Sequence, residues 1–157
     1  MTRLREADVA QIPERLEGYD RWLKQATGAS LRQIACRGAG IHEAQVLEAL
    51  PRVRFAAVPV RSGQGVIGGF SGAVAAIISH LGFESFVTES CDAAGIAEGI
   101  ERGAEILMLA DDDRFVAVTP RRKLLVDNSQ ATAQGFVAAL EFMRGGLAEK
   151  DVLVLGL

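Results

Sequence analysis

The sequence predicts an α/β fold in which N-terminal helices precede a mainly parallel βαβαβ sheet with a hairpin, and a further strand ends the chain. Three observations predict it. Apolar residues recur at three- and four-residue intervals up to about Leu50, the period of amphipathic helices. From Phe55 onward short apolar runs alternate with helix-length segments, the mark of strands joined by right-handed crossovers. Gly28, Pro51 and Gly103 stand where helical segments should stop.

Taken in order, Val9, Ile12, Leu16, Tyr19, Trp22 and Leu23 form one stripe and predict a helix over about Arg5 to Thr27, closed by Gly28. Ser30 caps a short second helix through Leu31, Ile34 and Ala35, and a third runs from about Ile41 to Leu50. Phe55 to Val60 is an apolar run of strand length. After a glycine-rich loop comes a helix over about Gly69 to His80, then a strand over Ser85 to Thr88 and a helix over about Asp92 to Arg102. Glu105 to Leu109 is a third strand, which stops at Asp111-Asp112-Asp113. Phe115 to Val118 and Lys123 to Val126 flank Pro120-Arg121-Arg122 as a solvated basic hairpin, and about Ala131 to Arg144 is a long helix.

A chain of 157 residues can bury enough surface to need no disulfide or metal. A net charge of -3 offers no attraction to nucleic acid or to an anionic membrane, so neither is expected as a partner. No segment has the length of a membrane helix and the N-terminus lacks a secretory core, which predicts a cytoplasmic protein. Cys36 and Cys91 are isolated and read as reduced, packed thiols. His42 and His80 lack a second ligand at helical spacing, so no metal site is expected, and His80 reads as a cap or a packed side chain.

Ligands of such sheets lie beyond the carboxyl ends of the strands, which selects Val60 to Phe70, Thr88 to Asp92 and Ala110 to Asp113 as the rim of one cleft. Gly63-Gln64-Gly65-Val66-Ile67-Gly68 is a formal G-x-G-x-x-G, with Glu89 about 20 residues beyond. Pro59, Arg61 and Ser62 separate it from its strand, and Phe70 sits where a helix should expose its N–H groups. It reads first as a substrate-contacting loop, then as a phosphate cradle or a structural turn. Ser62 adds a hydroxyl and Phe70 an apolar wall. Asp111 follows the strand directly and is placed to hold an ammonium group or accept its proton, whereas Asp112 and Asp113 read as a solvated turn. Asp127 to Thr132 opens the long helix, where Asn128 or Ser129 would cap it and free N–H groups could meet a carboxylate.

The last residues, Asp151-Val152-Leu153-Val154-Leu155-Gly156-Leu157, read as a buried strand running into the first glycine of a dinucleotide-binding turn, with Gly156 as its cofactor-contacting residue. The alternative is a strand that completes the domain's own sheet.

These residues together carry a resemblance. Val58-Pro59-Val60-x-Ser62-Gly63-x-Gly65-x-Ile67-Gly68-x-Phe70-Ser71, Gly82-Phe83, Phe86-Val87-Thr88, Gly103-Ala104-Glu105-Ile106, Met108-x-Ala110-Asp111-Asp112 and Asn128 resemble the N-terminal domain of the pyrrolysine-biosynthesis dehydrogenases. The likeness covers most of the chain from about Phe55; the first fifty residues match in helical character and in Ile34-Ala35-Cys36. It implies residues 1–148 as a substrate-binding domain and residues 149–157 as the first strand of an NAD-binding Rossmann domain, which would leave this chain inactive alone. The implied reaction is NAD-dependent oxidation of the terminal amine of 3-methyl-D-ornithyl-N6-lysine, an amino-acid substrate, followed by ring closure with loss of ammonia. On this likeness Asp111 positions and helps deprotonate the amine, Ser62 and Asn128 make polar contacts, Val60 and Phe70 shape the wall, and Asp112 is a second carboxylate. Gly69 and Gly72 stand where the family pattern has Asn and Ala, and Asp113 lies outside it. A free-standing small-molecule-binding or regulatory domain is the alternative reading. The N-terminal stripe suits packing on the chain's own sheet or on a second copy, so a homodimer is open.

Overall fold

The computed structural model describes residues 5–63, 67–143 and 146–153. The predicted first helix is two: α1 (Glu6–Val9) and α2 (Ile12–Thr27). Pro13 lies in the first turn of α2, where a missing N–H is tolerated, and it blocks a continuous helix from α1. Gly28 ends α2 at φ 83°, the left-handed conformation that favours glycine there. Val9, Leu16 and Leu23 are buried, but Tyr19 and Trp22 remain 49% and 58% exposed, so the stripe is narrower than its period suggested.

Ser30 caps α3 (Leu31–Gly38) as expected: its hydroxyl accepts the Gln33 N–H while the Gln33 side chain accepts the Ser30 N–H. The short α4 (Glu43–Ala49) then leads into the sheet. Asp20 ties three helices, counting the later α5 (Phe70–His80). Its Oδ1 accepts the Leu31 N–H at 2.6 Å and its Oδ2 meets His80 Nε2 at 2.9 Å. Partial burial pushes the Asp20 carboxyl up, but the Leu31 N–H and His80 outweigh it and hold it below its ordinary value. His80 is therefore a paired side chain in the helical layer.

The sheet strands are β1 (Arg54–Pro59), β2 (Glu84–Val87), β3 (Ile106–Ala110), β4 (Phe115–Thr119) and β5 (Leu124–Asp127), in the order β2-β1-β3-β4-β5. β1 pairs in parallel with β2 and β3, while β3–β4 and β4–β5 are antiparallel. Right-handed crossovers running in opposite directions, from β1 to β2 and from β2 to β3, place α5 and α6 (Asp92–Glu101) on opposite faces. Period-two alternation matches this: Ala56 and Val58 join Leu107 in a buried cluster with Phe86 and Ile96. A Cβ on Gly95 would lie 2.7 Å from Val58 Cγ1, and one on Gly99 2.8 Å from Leu107 Cδ2, so two glycines one turn apart let α6 rest directly on β1 and β3. A second core of Leu23, Ala29, Ile34 and Ala138 joins α2 and α3 to α7 (Asn128–Phe142).

The Pro120–Arg122 turn of the hairpin is exposed, as expected. Of the predicted terminal strand, Asp151–Leu153 is irregular and exposed, and residues 154–157, with Gly156, lie outside the described residues. Among the described residues no helix is long and apolar enough to cross a membrane.

Candidate functional site at the carboxyl edge of the sheet

The pairing register brings most of the predicted site to one edge. Pro59 lies opposite Ala110 in the parallel β1–β3 pair, so Val60 and Asp111 leave the sheet side by side. β4 runs the other way and begins at this same edge with Phe115, opposite Ala110. β5 runs back and ends there with Asp127, opposite Val116. The chain leaves β1 for β2 on one side and then crosses to β3 on the other, so the crevice between β1 and β3 is the topological switch point.

At that crevice the loop after β1 meets the aspartate turn. Gly63, at φ 70°, presses its Cα against the Asp112 carboxylate closely enough that any Cβ would collide with it. Ser62 is exposed beside it, and Val60 is half-buried. A Cβ on Gly68 would lie 2.6 Å from Glu6 Oε1, so α1 brings another carboxylate to the far end of the same loop. Gly65 lies outside the described residues. Among the described residues the Asp112 and Glu6 carboxylates stand against Gly63 and Gly68, which disfavours a pyrophosphate at those two glycines.

Asp111 shapes the turn after β3. Its Oδ1 accepts the Arg114 N–H at 2.7 Å and the Asp113 N–H at 2.9 Å. These two N–H groups hold its carboxyl below the ordinary value, and the residue is exposed. The result suits a fixed negative charge, whereas proton uptake near neutrality needs a shift in the other direction.

Phe70 opens α5 half-buried, its ring edge-on to Phe115 at 5.6 Å between centroids and 70° between planes. Arg114 reaches Asp127 at 3.1 Å, and this guanidinium, with the Ser129 N–H, lowers the Asp127 carboxyl. Asp127 is the cap of α7, accepting the Ser129 N–H at 2.9 Å, which corrects the expectation of Asn128 or Ser129 in that role. Asn128 is the first residue of α7 and follows β5 directly. That strand lies two places from β3, so Asn128 stands about 10 Å along the edge from Asp111. Phe115, Arg114 and Glu6 were not singled out in the sequence; only the position of Phe115 at the head of a strand hinted at its place on this edge.

Among the described residues this edge is mostly acidic: Asp111, Asp112 and Asp113 follow β3, Asp92 meets the Arg61 N–H and Glu6 meets Gly68, while Arg114 is paired with Asp127. Among the described residues no group of three or more His, Cys, Asp or Glu side chains could hold a metal ion. Two open depressions, of about 710 Å³ at Leu50 to Arg54 and about 490 Å³ at Gly28 to Glu43, include none of the predicted site residues.

The family model for the N-terminal domain of pyrrolysine biosynthesis protein PylD matches residues 8–126. The pyrrolysine synthase of Methanosarcina barkeri is 34% identical over 158 residues, an alignment covering 100% of this chain and 57% of that protein. The pyrrolysine synthase of Methanosarcina acetivorans is 30% identical over 167 residues, covering 100% of this chain and 58% of that protein. The chain thus spans a little over half the length of these curated relatives.

Proposed function

This chain belongs to the family of the N-terminal domain of pyrrolysine biosynthesis protein PylD, and on that premise we propose that it serves pyrrolysine biosynthesis as the substrate-holding domain of an amine-oxidising enzyme. The observation that carries the reading is the acidic edge at the switch point, where Gly63, next to Ser62, stands against Asp112 beside Asp111. A substrate with free amino groups is attracted to such an edge, and a dinucleotide is not.

In this reading the terminal ammonium of 3-methyl-D-ornithyl-N6-lysine sits at Asp111, which its turn keeps ionised. Asp111 acts as an electrostatic anchor and fixes the carbon to be oxidised; the lowering of its pKa makes it a weak proton acceptor. Ser62 offers a hydroxyl to the same amine, and Val60 and Phe70 line the aliphatic stretch. The lysine end extends along the edge toward Asn128, where the first N–H groups of α7 favour a carboxylate. NAD, the hydride acceptor that the family resemblance implies, would be held by the part of the relatives that this chain does not cover, with residues 149–157 leading into it; the carboxylates at Gly63 and Gly68 support placing it there rather than on the glycine loop. Amine oxidation followed by attack of the neighbouring amine and release of ammonia is the reaction proposed for the whole enzyme.

Calorimetric titration of the intact protein with the methylornithyl-lysine isopeptide, alongside ADP-ribose, tests the assignment. Binding of the isopeptide that is lost when its terminal amine is acetylated is the expected result. A folded protein indifferent to that acetylation would overturn it.

A further inference from the structure

We propose that Asp92 is a positioning residue for the substrate loop, a role that rests on the reading just given. Asp92 is the first residue of α6, and its Oδ1 accepts the backbone N–H of Arg61 at 2.8 Å. Arg61 immediately precedes Ser62 and Gly63, and Gly63 stands at the crevice against Asp112. The side chain therefore reaches from the β2–α6 turn to the one loop that the substrate reading uses for its hydroxyl contact.

The platform behind Asp92 is tied by hydrogen bonds and close packing. Glu98 accepts the Glu89 N–H at 3.0 Å and the Ser90 N–H at 2.8 Å, and Thr88 Oγ1 donates to the Ser90 carbonyl at 2.8 Å. Gly95 holds α6 against Val58 near the end of β1, so the same helix is registered on the strand from which the loop departs. The loop itself carries only exposed residues at positions 61–63. Asp92 thus links an ordered turn to an exposed one.

Its backbone marks the position as unusual. Asp92 has φ 57°, in the left-handed region that a side chain enters at a cost and glycine enters freely. That separates the two things Asp92 could do. If it served only the turn, glycine would serve as well or better; if its carboxylate holds the loop, glycine abolishes the function while easing the backbone.

The test uses Asp92→Gly and Asp92→Asn in the intact enzyme. Amide exchange of Arg61 is followed by NMR, thermal stability by calorimetry, and NADH formation with the isopeptide by steady-state kinetics. The glycine variant should keep the wild-type Tm or exceed it, lose protection at the Arg61 amide, and raise KM about tenfold with kcat within about twofold. Asparagine keeps an acceptor oxygen and tolerates the left-handed region, so it should restore KM to within about threefold of wild type. Unchanged Arg61 exchange in Asp92→Gly, or faster exchange with KM unmoved, overturns the proposal. Failure of the unsubstituted enzyme to turn over the isopeptide overturns the underlying substrate reading instead, and is recognised because it appears without any substitution.

Discussion

Replacing Asp111 by asparagine removes one negative charge from the crevice and little else. The amide oxygen of the new side chain can still accept the Arg114 and Asp113 N–H groups, so the turn after β3 should persist. The lost attraction can be bounded from the geometry. At about 4 Å a carboxylate and an ammonium attract each other enough for roughly a fivefold change in affinity in bulk water, rising to several hundredfold at an effective dielectric constant of about 20. Asp111 is exposed, which places the expectation near the lower bound, about tenfold weaker binding of the isopeptide. Because the pair is exposed, wild-type affinity should also fall as salt is raised well above about 0.1 M, and the variant should lose most of that dependence. Calorimetric titration of both proteins at low and high salt measures both quantities. An Asp111→Asn variant with an unchanged Tm that binds within about twofold of wild type, with the same salt slope, would refute the assignment of the ammonium to Asp111.

Three other outcomes test the scaffold that presents this edge. Gly95→Ala should destabilise the fold by about 1–3 kcal/mol, because the added Cβ meets the Ser90 carbonyl and Val58 where only small shifts are available; calorimetry should show Tm lower by roughly 2–10 °C. Glu98, lowered to about 2 by the Ser90 and Glu89 N–H groups, contributes stability that is complete above its ordinary value of 4.5 and lost as pH falls through about 2. Glu98→Gln should lower the urea midpoint at pH 7 and flatten its dependence on pH over that acid window. Asp20→Ala strands the Leu31 N–H and His80, and should cost about 1–3 kcal/mol by urea denaturation, whereas Asp20→Asn keeps the backbone acceptor and should recover much of it.

The parts of this protein that were legible in the sequence are those decided locally. Phe55 to Val60 announces a strand because a short apolar run between a proline and glycines has few other conformations, and Ser30 announces a helix start because its hydroxyl needs only the Gln33 N–H three residues on. What escaped depends on residues distant in sequence. Phe115 joins Phe70 only because an antiparallel return begins at the edge where α5 begins. Gly95 and Gly99 read as weak helix formers until β1 and β3 are seen beneath them. Asp127 displaces Asn128 as the cap because the β4–β5 pairing extends one residue further than the apolar run suggested. Tyr19 and Trp22 share the period of the buried residues but lie at the margin of their face.

The candidate site shows why the same limit applies to function. Asp111-Asp112-Asp113 alone is most simply a solvated turn, and the glycine loop alone is a weak nucleotide motif. The β1–β3 register sets one against the other, and each then changes the meaning of its neighbour: carboxylates at Gly63 and Gly68 weigh against phosphate at those glycines, and the loop makes the acidic turn one wall of a crevice. The chemistry available to the edge belongs to the pair, which is why substitutions that separate charge from loop position, at Asp111 and at Asp92, are the informative ones. Loss of binding from the first with the loop intact, and from the second with Asp111 intact, would establish that both are required; a site in which either alone suffices would have to recognise its ligand by some contact other than the amine.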